Sequence, residues 1–349
     1  MQPAVAIPIT LLLVIRAYTR RSLTLPGIVM AALTATVHAL HPSPVPFTLL
    51  CTFFVLGTLA TKVKHDVKAT LTLSSSGSSG GEGPRTTTQV VANSGCASLL
   101  ILLHVYQYGV AGGNRCFGDP SDRTADVLLV GVISNYVSVA ADTLSSELGI
   151  LSKKRPVLIT SLKPVPPGTN GGVTLAGIVA GTGGSAAIAA ASLFLLPFCR
   201  ANETASSPSL PTLVSTGSGS AWSALDKFGL FLFFTVWGTL GSLLDSLLGA
   251  TLQASIIDRR TGKIVEGPGG VKVLTTSSST STHRPSSSTG TSTSDSATTG
   301  QPGGGREIHS RMINSGHDIL DNNQINFLMA SIMSGAGMLA ASIAWHGPW

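Results

Sequence analysis

Eight stretches rich in apolar and small residues recur along the chain, at roughly 3–18, 25–41, 44–61, 88–111, 124–142, 172–198, 226–252 and 325–345. About 20 such residues in a helix cross the hydrocarbon core of a bilayer, and several of these runs approach that length. Backbone N–H and C=O groups find no water there, so a chain that crosses must satisfy them internally, as a helix does. The expected fold is therefore all-α: a polytopic integral membrane bundle with about eight transmembrane helices, forming a single membrane domain over residues 1–349. Only 11% of residues are charged, against about 25% in soluble proteins. The net charge of +6 is read as loop charge that sets topology, so no nucleic acid partner is expected.

The placement of cations supports this reading. Three, four, four and seven Lys or Arg residues follow the first, third, fifth and seventh runs, against none, two and two after the second, fourth and sixth. Cationic connections stay on the cytoplasmic side. The odd connections are thus expected there, with both termini on the opposite side. The first run has no basic residues before its apolar core and reads as a retained anchor rather than a signal peptide. Two low-complexity insertions, 74–86 and the Ser/Thr-rich 273–305, fall in cytoplasmic connections, and both are expected to be disordered. Residues 201–220 read as an irregular luminal loop carrying the sequon "NET" at 202–204. Cys51 and Cys96 fall in apolar runs, whereas Cys116 and Cys199 lie beside even connections and could pair if both face an oxidising lumen.

Polar residues near span ends carry the functional signal, because ionisable groups at membrane depth are costly unless they face a bundle interior or a ligand. "QVVANSG" places Asn93 at the start of the fourth run. "ADTLSSELG" closes the fifth run with Asp142, Ser145, Ser146 and Gly149 on one helical stripe, while Glu147 points elsewhere and reads as a solvated surface acid. "GSLLDSLLGA" closes the seventh with Asp245, and "DNNQINFL" opens the eighth with Asn322 and Asn326 on a shared face. "TKVKHDVK" adds Lys62 and Lys64, and "KPVPPGTNGGVTLAG" leads into the sixth run. Under the expected topology all six converge on one membrane face. Carboxylates hold a hard cation through oxygen, backbone N–H groups at a turn or helix start cradle phosphate, and lysines meet the remaining phosphate oxygens as point charges. In that turn Gly168, Gly171 and Gly172 are expected to adopt positive φ, with Thr169 and Asn170 as side-chain donors.

Six motifs in this order, "LGTLATKVK", "QVVANSG", "ADTLSSELG", "KPVPPGTNGGVTLAG", "GSLLDSLLGATLQ" and "NNQIN", resemble the transmembrane protein 19 / phytyl-phosphate kinase family over roughly residues 5 to 345. The resemblance implies a prenyl (phytyl-like) monophosphate kinase that transfers a phosphoryl group from an NTP, CTP or ATP, to give a prenyl diphosphate. By analogy with related polytopic lipid kinases, Asp142 and Asp245 would hold Mg²⁺. Lys163 is expected to assist the transfer. Lys62, Lys64, Gly168, Thr169, Asn170 and Gly171 would bind phosphates, with Asn93, Asn322 and Asn326 orienting the site. The expected partners are the lipid bilayer, an isoprenoid phosphate and a nucleotide, and the expected compartment is the endoplasmic reticulum. Unlike the plant enzymes, the chain shows no Arg- and Ser-rich transit peptide. Two other classes fit part of the pattern: a transporter or scramblase of a phosphorylated lipid without catalysis, and a structural membrane component.

Overall fold

The computed structural model describes residues 1–76, 78, 80, 83–110, 116–119, 123–199, 222–273 and 310–346. Six of its helices are long and apolar enough to cross a membrane: α3 (Val45–Lys62), α5 (Thr87–Tyr108), α6 (Arg123–Gly149), α7 (Leu175–Leu195), α8 (Ala224–Leu252) and α9 (Asn322–His346). Two more, α1 (Pro3–Thr19) and α2 (Leu25–Leu40), are apolar but shorter, and α4 (His65–Leu71) is a single short helix. All eight apolar runs are thus helical, while six meet the length of a span.

Helix α6 is the axis of the bundle. Every residue from Ala125 to Ala141 is buried, and α3, α5, α7, α8 and α9 all pack on it. Apolar side chains gain nothing by leaving lipid for protein, so close van der Waals approach between small residues holds such helices together. A Cβ on Gly181 or Gly184 of α7 would lie 2.8 or 2.9 Å from the carbonyl oxygens of Ala141 and Ala140. Gly241 of α8 meets Ser138, and Gly131 of α6 meets Leu100 and Met338 in the same way. The helix starts are capped from their own sequence. Thr86 and Gln89 form a reciprocal capping box on α5, Ser223 and Asp226 another on α8, and Thr174 Oγ1 accepts from Gly177 N at 3.0 Å on α7.

Helix α6 runs on to Gly149 rather than ending near 142. Its last two turns are polar, but α7 supplies the packing that lipid cannot: Gly177 lies against Ser145 and Gly149, and Thr174 Oγ1 donates to Gly149 O. Asp142 therefore sits inside a helix, with the polar turns of the motif continuing beyond it.

The expectation of an all-α chain is corrected by a four-stranded sheet. Strands β1 (Leu73–Ser74), β4 (Ser255–Asp258), β5 (Lys263–Glu266) and β6 (Arg311–Ser315) order as β1-β5-β4-β6, with β4 antiparallel to both neighbours and β1 parallel to β5. Ile256, Ile264 and Val265 are buried, and Asp258 Oδ1 accepts from the backbone N–H groups of Arg260 and Thr261 to close the β4–β5 turn. Burial raises the Asp258 carboxyl, but hydrogen bonds from Arg260, Ser310 and those N–H groups outweigh it and leave it below the usual carboxylate range. A shorter ladder pairs β2 (Val157–Leu158) with β3 (Gly172–Val173).

Part of the 74–86 insertion is ordered by this sheet: Ser74 pairs with Glu266, and Gly80 N donates to Thr72 O. The 201–220 loop with its sequon lies outside the described residues, as does the 273–305 insertion apart from its first residue, Val273. Cys116 and Cys199 form a disulfide with Cα atoms 4.8 Å apart. It joins the connections after α5 and α7, at the end of the bundle away from Asp142 and Asp245.

Candidate functional site

Where α5 and α9 begin and α6 and α8 end, a cavity of about 890 Å³ opens, with strand residues Ile256, Ile264 and Val265 lining another part of its wall. Asp142 comes from α6 and Asp245 from α8, and their carboxyl groups lie within hydrogen-bonding reach of one another. Two ionised carboxylates this close repel; a shared proton or cation removes the repulsion. Asn326 adds to the pair. With its amide nitrogen as donor, it reaches Asp245 Oδ2 at 3.1 Å and Asn322 O at 3.1 Å. Asn93, Ser145, Ser146, Ser246, Gly249 and Asn322 complete this part of the lining, and Asn135 Nδ2 holds the Asn93 carbonyl at 2.9 Å.

The glycine-rich turn reaches the same cavity through Gly168, Asn170, Gly171 and Gly172. Gly168 and Gly171 adopt φ of +84° and +75°, as expected, whereas Gly172 lies in strand β3. A Cβ on Gly171 would sit 2.5 Å from Ser246 O and 2.9 Å from Ala250 Cα, so the turn rests directly on α8 one turn past Asp245. Its donors are largely committed. Thr169 is buried outside the lining and donates to Pro166 O at 2.7 Å. Asn170 gives its N–H to Ser255 Oγ at 2.9 Å and its amide to Ala254 O at 3.1 Å. These bonds tie the turn to strand β4.

The lysines singled out from sequence are placed elsewhere. Lys62, Lys64 and Lys163 are exposed and do not line the cavity. Lys68, on α4, does line the cavity, and its partner is Glu147. Both side chains are nearly buried, at 8% and 12% exposed. Lys68 Nζ donates to Glu147 Oε2, to Thr61 O at 2.8 Å and to Ala60 O at 3.1 Å, and Thr61 Oγ1 donates to the other Glu147 oxygen at 2.7 Å. Glu147 is therefore not a solvated acid. It leaves the Asp142 stripe, as its spacing requires, and turns toward α3, where the pair ties down the last carbonyls of that helix. The sequence signal was weak: one Glu in a serine-rich turn, and one Lys in a basic run that reads as topology.

The fit of a divalent cation follows from the donor set. Among the described residues no group of three or more His, Cys, Asp or Glu side chains gathers into a cage. Two carboxylates that meet in an open cavity, with an amide beside them, suit Mg²⁺, which keeps waters and takes substrate phosphates as further ligands.

Residues 8–334 match the family described as Integral membrane protein DUF92. The chain belongs to this family. The chain is 34% identical over 271 residues to Protein PGR of Arabidopsis thaliana, covering 76% of this chain and 83% of that protein. It is 32% identical over 169 residues to Protein VTE6, chloroplastic, of the same plant, covering 48% and 46%. An uncharacterised membrane protein of Methanocaldococcus jannaschii is 32% identical over 137 residues, covering 39% and 48%. The last two are matched over about half their length. No solved structure matches the chain. The six motifs lie within the DUF92 match, and the family resemblance drawn from them holds.

Proposed function

We propose that this DUF92 protein is a membrane-embedded kinase that transfers a phosphoryl group from an NTP, CTP or ATP, to a prenyl, phytyl-like monophosphate. The observation that carries the reading is the meeting of the Asp142 and Asp245 carboxyls, from helices far apart in sequence, at the wall of a cavity of about 890 Å³. The motif resemblance supplies the reaction class. In the proposed step an oxygen of the acceptor monophosphate forms the new P–O bond to the γ-phosphorus, and the bond from γ-phosphorus to the bridging oxygen breaks. The nucleoside diphosphate leaves with that electron pair. The attacking oxygen is already anionic, so the step requires no general base; positioning and charge neutralisation carry the catalysis.

In this reading Asp142 and Asp245 hold Mg²⁺, which would neutralise phosphate charge. Asn326 orients Asp245, and Asn93 and Asn322 shape the wall. The Gly168–Gly171 turn gives the cavity its edge, with Thr169 and Asn170 fixing the turn rather than the ligand. Exposed Lys62, Lys64 and Lys163 contribute long-range attraction and headgroup contact. We take α1 and α2 as spans too: at 17 and 16 residues and about 1.5 Å per residue they run about 24–26 Å, a few ångström short of the roughly 30 Å hydrocarbon core, which gives eight crossings. The Cys116–Cys199 disulfide belongs in an oxidising compartment, so the cavity faces the opposite, reducing side. The comparisons lend no support to the endoplasmic reticulum; the relative named with a compartment is chloroplastic.

The test uses purified protein in detergent with Mg²⁺. CTP, ATP, GTP and UTP are offered against phytyl, geranylgeranyl and farnesyl monophosphate, and diphosphate product is measured. Product that disappears in the Asp142→Asn, Asp245→Asn double variant supports the kinase. Lipid phosphate flux in proteoliposomes without NTP consumption would replace it with the transporter or scramblase.

A further inference from the structure

The cavity must neutralise more phosphate charge than one divalent cation can, and the lysines expected to do so stand outside it. The cations that line it are His65, Lys68, Arg85, Lys154 and Lys272. Lys68 is paired with Glu147 and Lys272 with Asp318, Lys154 is exposed, and His65 lies beside Asp66. Arg85 differs from all of these. It is half-buried, and among the described residues no hydrogen bond or carboxylate engages its guanidinium. Its side chain faces the Phe53 ring, whose centroid lies 6.0 Å from Cζ.

The guanidinium is nevertheless held in place. Nη2 and Nη1 lie 2.7 and 2.9 Å from where a Gly57 Cβ would stand, so the planar group rests on a side-chain-free patch of α3, one turn before cavity-lining Thr61. Its backbone is pinned between two connections: Arg85 N donates to Ser22 O at 3.0 Å, and Thr24 N donates to Arg85 O at 3.0 Å. Thr86, the next residue, caps α5, whose N-terminal dipole favours an anion at the same place. A fixed guanidinium whose five donors meet no partner among the described residues matches the oxygens of a phosphate, two at a time.

We propose that Arg85 is a phosphate-binding residue of this cavity, with Gly57 as the platform that sets its position. The ligand is a phosphate or diphosphate group, carried either by the nucleotide or by the lipid acceptor. This deepens the kinase reading and rests on it for the identity of the two carriers.

The experiment measures equilibrium binding to purified full-length protein, by calorimetry, with no turnover possible. The probes are inorganic pyrophosphate, CTP with Mg²⁺ and farnesyl monophosphate, each used alone. Arg85→Gln should weaken pyrophosphate at least tenfold, and Arg85→Lys several-fold, since lysine keeps the charge and loses the fork. Gly57→Ala keeps Arg85 but displaces its guanidinium, and should also weaken binding. It guards against misfolding of the arginine variants, which thermal unfolding would reveal. The CTP and farnesyl monophosphate arms show which carrier the residue holds. Unchanged affinity in folded Arg85→Gln overturns the assignment while leaving the kinase reading intact, and wild-type protein that binds none of the probes overturns both. A tenfold Arg85 effect in protein that makes no diphosphate with any donor supports the phosphate site and removes the kinase.

Discussion

Replacing Gly238 by alanine should drive α6 and α8 apart and disable the site two turns away. The new methyl would fall onto Ser185 Oγ and the Val137 carbonyl, 2.7 Å from its carbon. A relaxed carbon–carbon contact is about 3.5 Å or more, so the helices must part by about 0.8 Å. Ser185 Oγ now donates to Phe234 O at 2.9 Å, a bond the methyl disrupts at a cost of about 1 kcal/mol. Overpacking adds about 1–3 kcal/mol, and alanine's helix propensity returns about 1 kcal/mol. The net loss is about 1–3 kcal/mol. Asp245 lies seven residues on, about 10 Å along the same face of α8, so the parting also carries it from Asp142. Gly229→Ala is the control: it is the same change in the same helix, with nothing within 4 Å of the new Cβ. It should be neutral or gain up to about 1 kcal/mol. Thermal unfolding of both purified variants, with the transfer assay above, reads the difference. If Gly238→Ala unfolds with Gly229→Ala and keeps full activity, the argument that α6–α8 contact sets the carboxylate pair is wrong.

Three further outcomes follow from the same structure. Lys68→Ala strands the nearly buried Glu147 charge and should destabilise the protein by about 3–5 kcal/mol, whereas the Lys68→Met, Glu147→Gln double variant should lose much less; equal losses in thermal unfolding would mean the pair is solvated. Maleimide–polyethylene glycol added to denatured, unreduced protein should modify two thiols, Cys51 and Cys96, and four after reduction; four before reduction would remove the Cys116–Cys199 bridge. The depressed Asp258 carboxyl contributes stability that is present above the ordinary value of about 3.9 and is lost as pH falls through its lower folded value. Asp258→Asn should thus weaken the protein at pH 7 and flatten the acid limb of its stability profile below about pH 4. An unchanged limb would show that the β4–β5 turn does not depend on this charge.

The helices were legible because lipid leaves a chain few choices. Long apolar runs with no partner for backbone polar groups must coil, and all eight runs did. The convergence of Asn93, Asp142, Asp245, Asn322 and Asn326 was legible too, because alternate spans reverse direction, so polar motifs at alternating ends must share a face. The sheet was not read, since its strands are two to five residues long and lie in polar connections where hydrophobic periodicity is weak. Its pairing of β1 with β5 spans almost two hundred residues, which no local pattern encodes.

Which cations serve the cavity also escaped the sequence. Lys62, Lys64 and Lys163 stand in basic or motif-rich segments, as Lys68 and Arg85 do, and spacing alone cannot tell exposed from enclosed. The distinction comes from contacts between distant segments: Glu147 of α6 turned toward α3, and Gly57 of α3 left bare beneath Arg85. By itself the sequence determined that this chain enters a membrane, where its helices run and which end carries the acids, because solvent and chain direction fix those. Only the tertiary structure decided that Asp142 and Asp245 touch, that the glycine-rich turn spends its donors on β4 and that Glu147 is paired, because each depends on the fit of helix against helix.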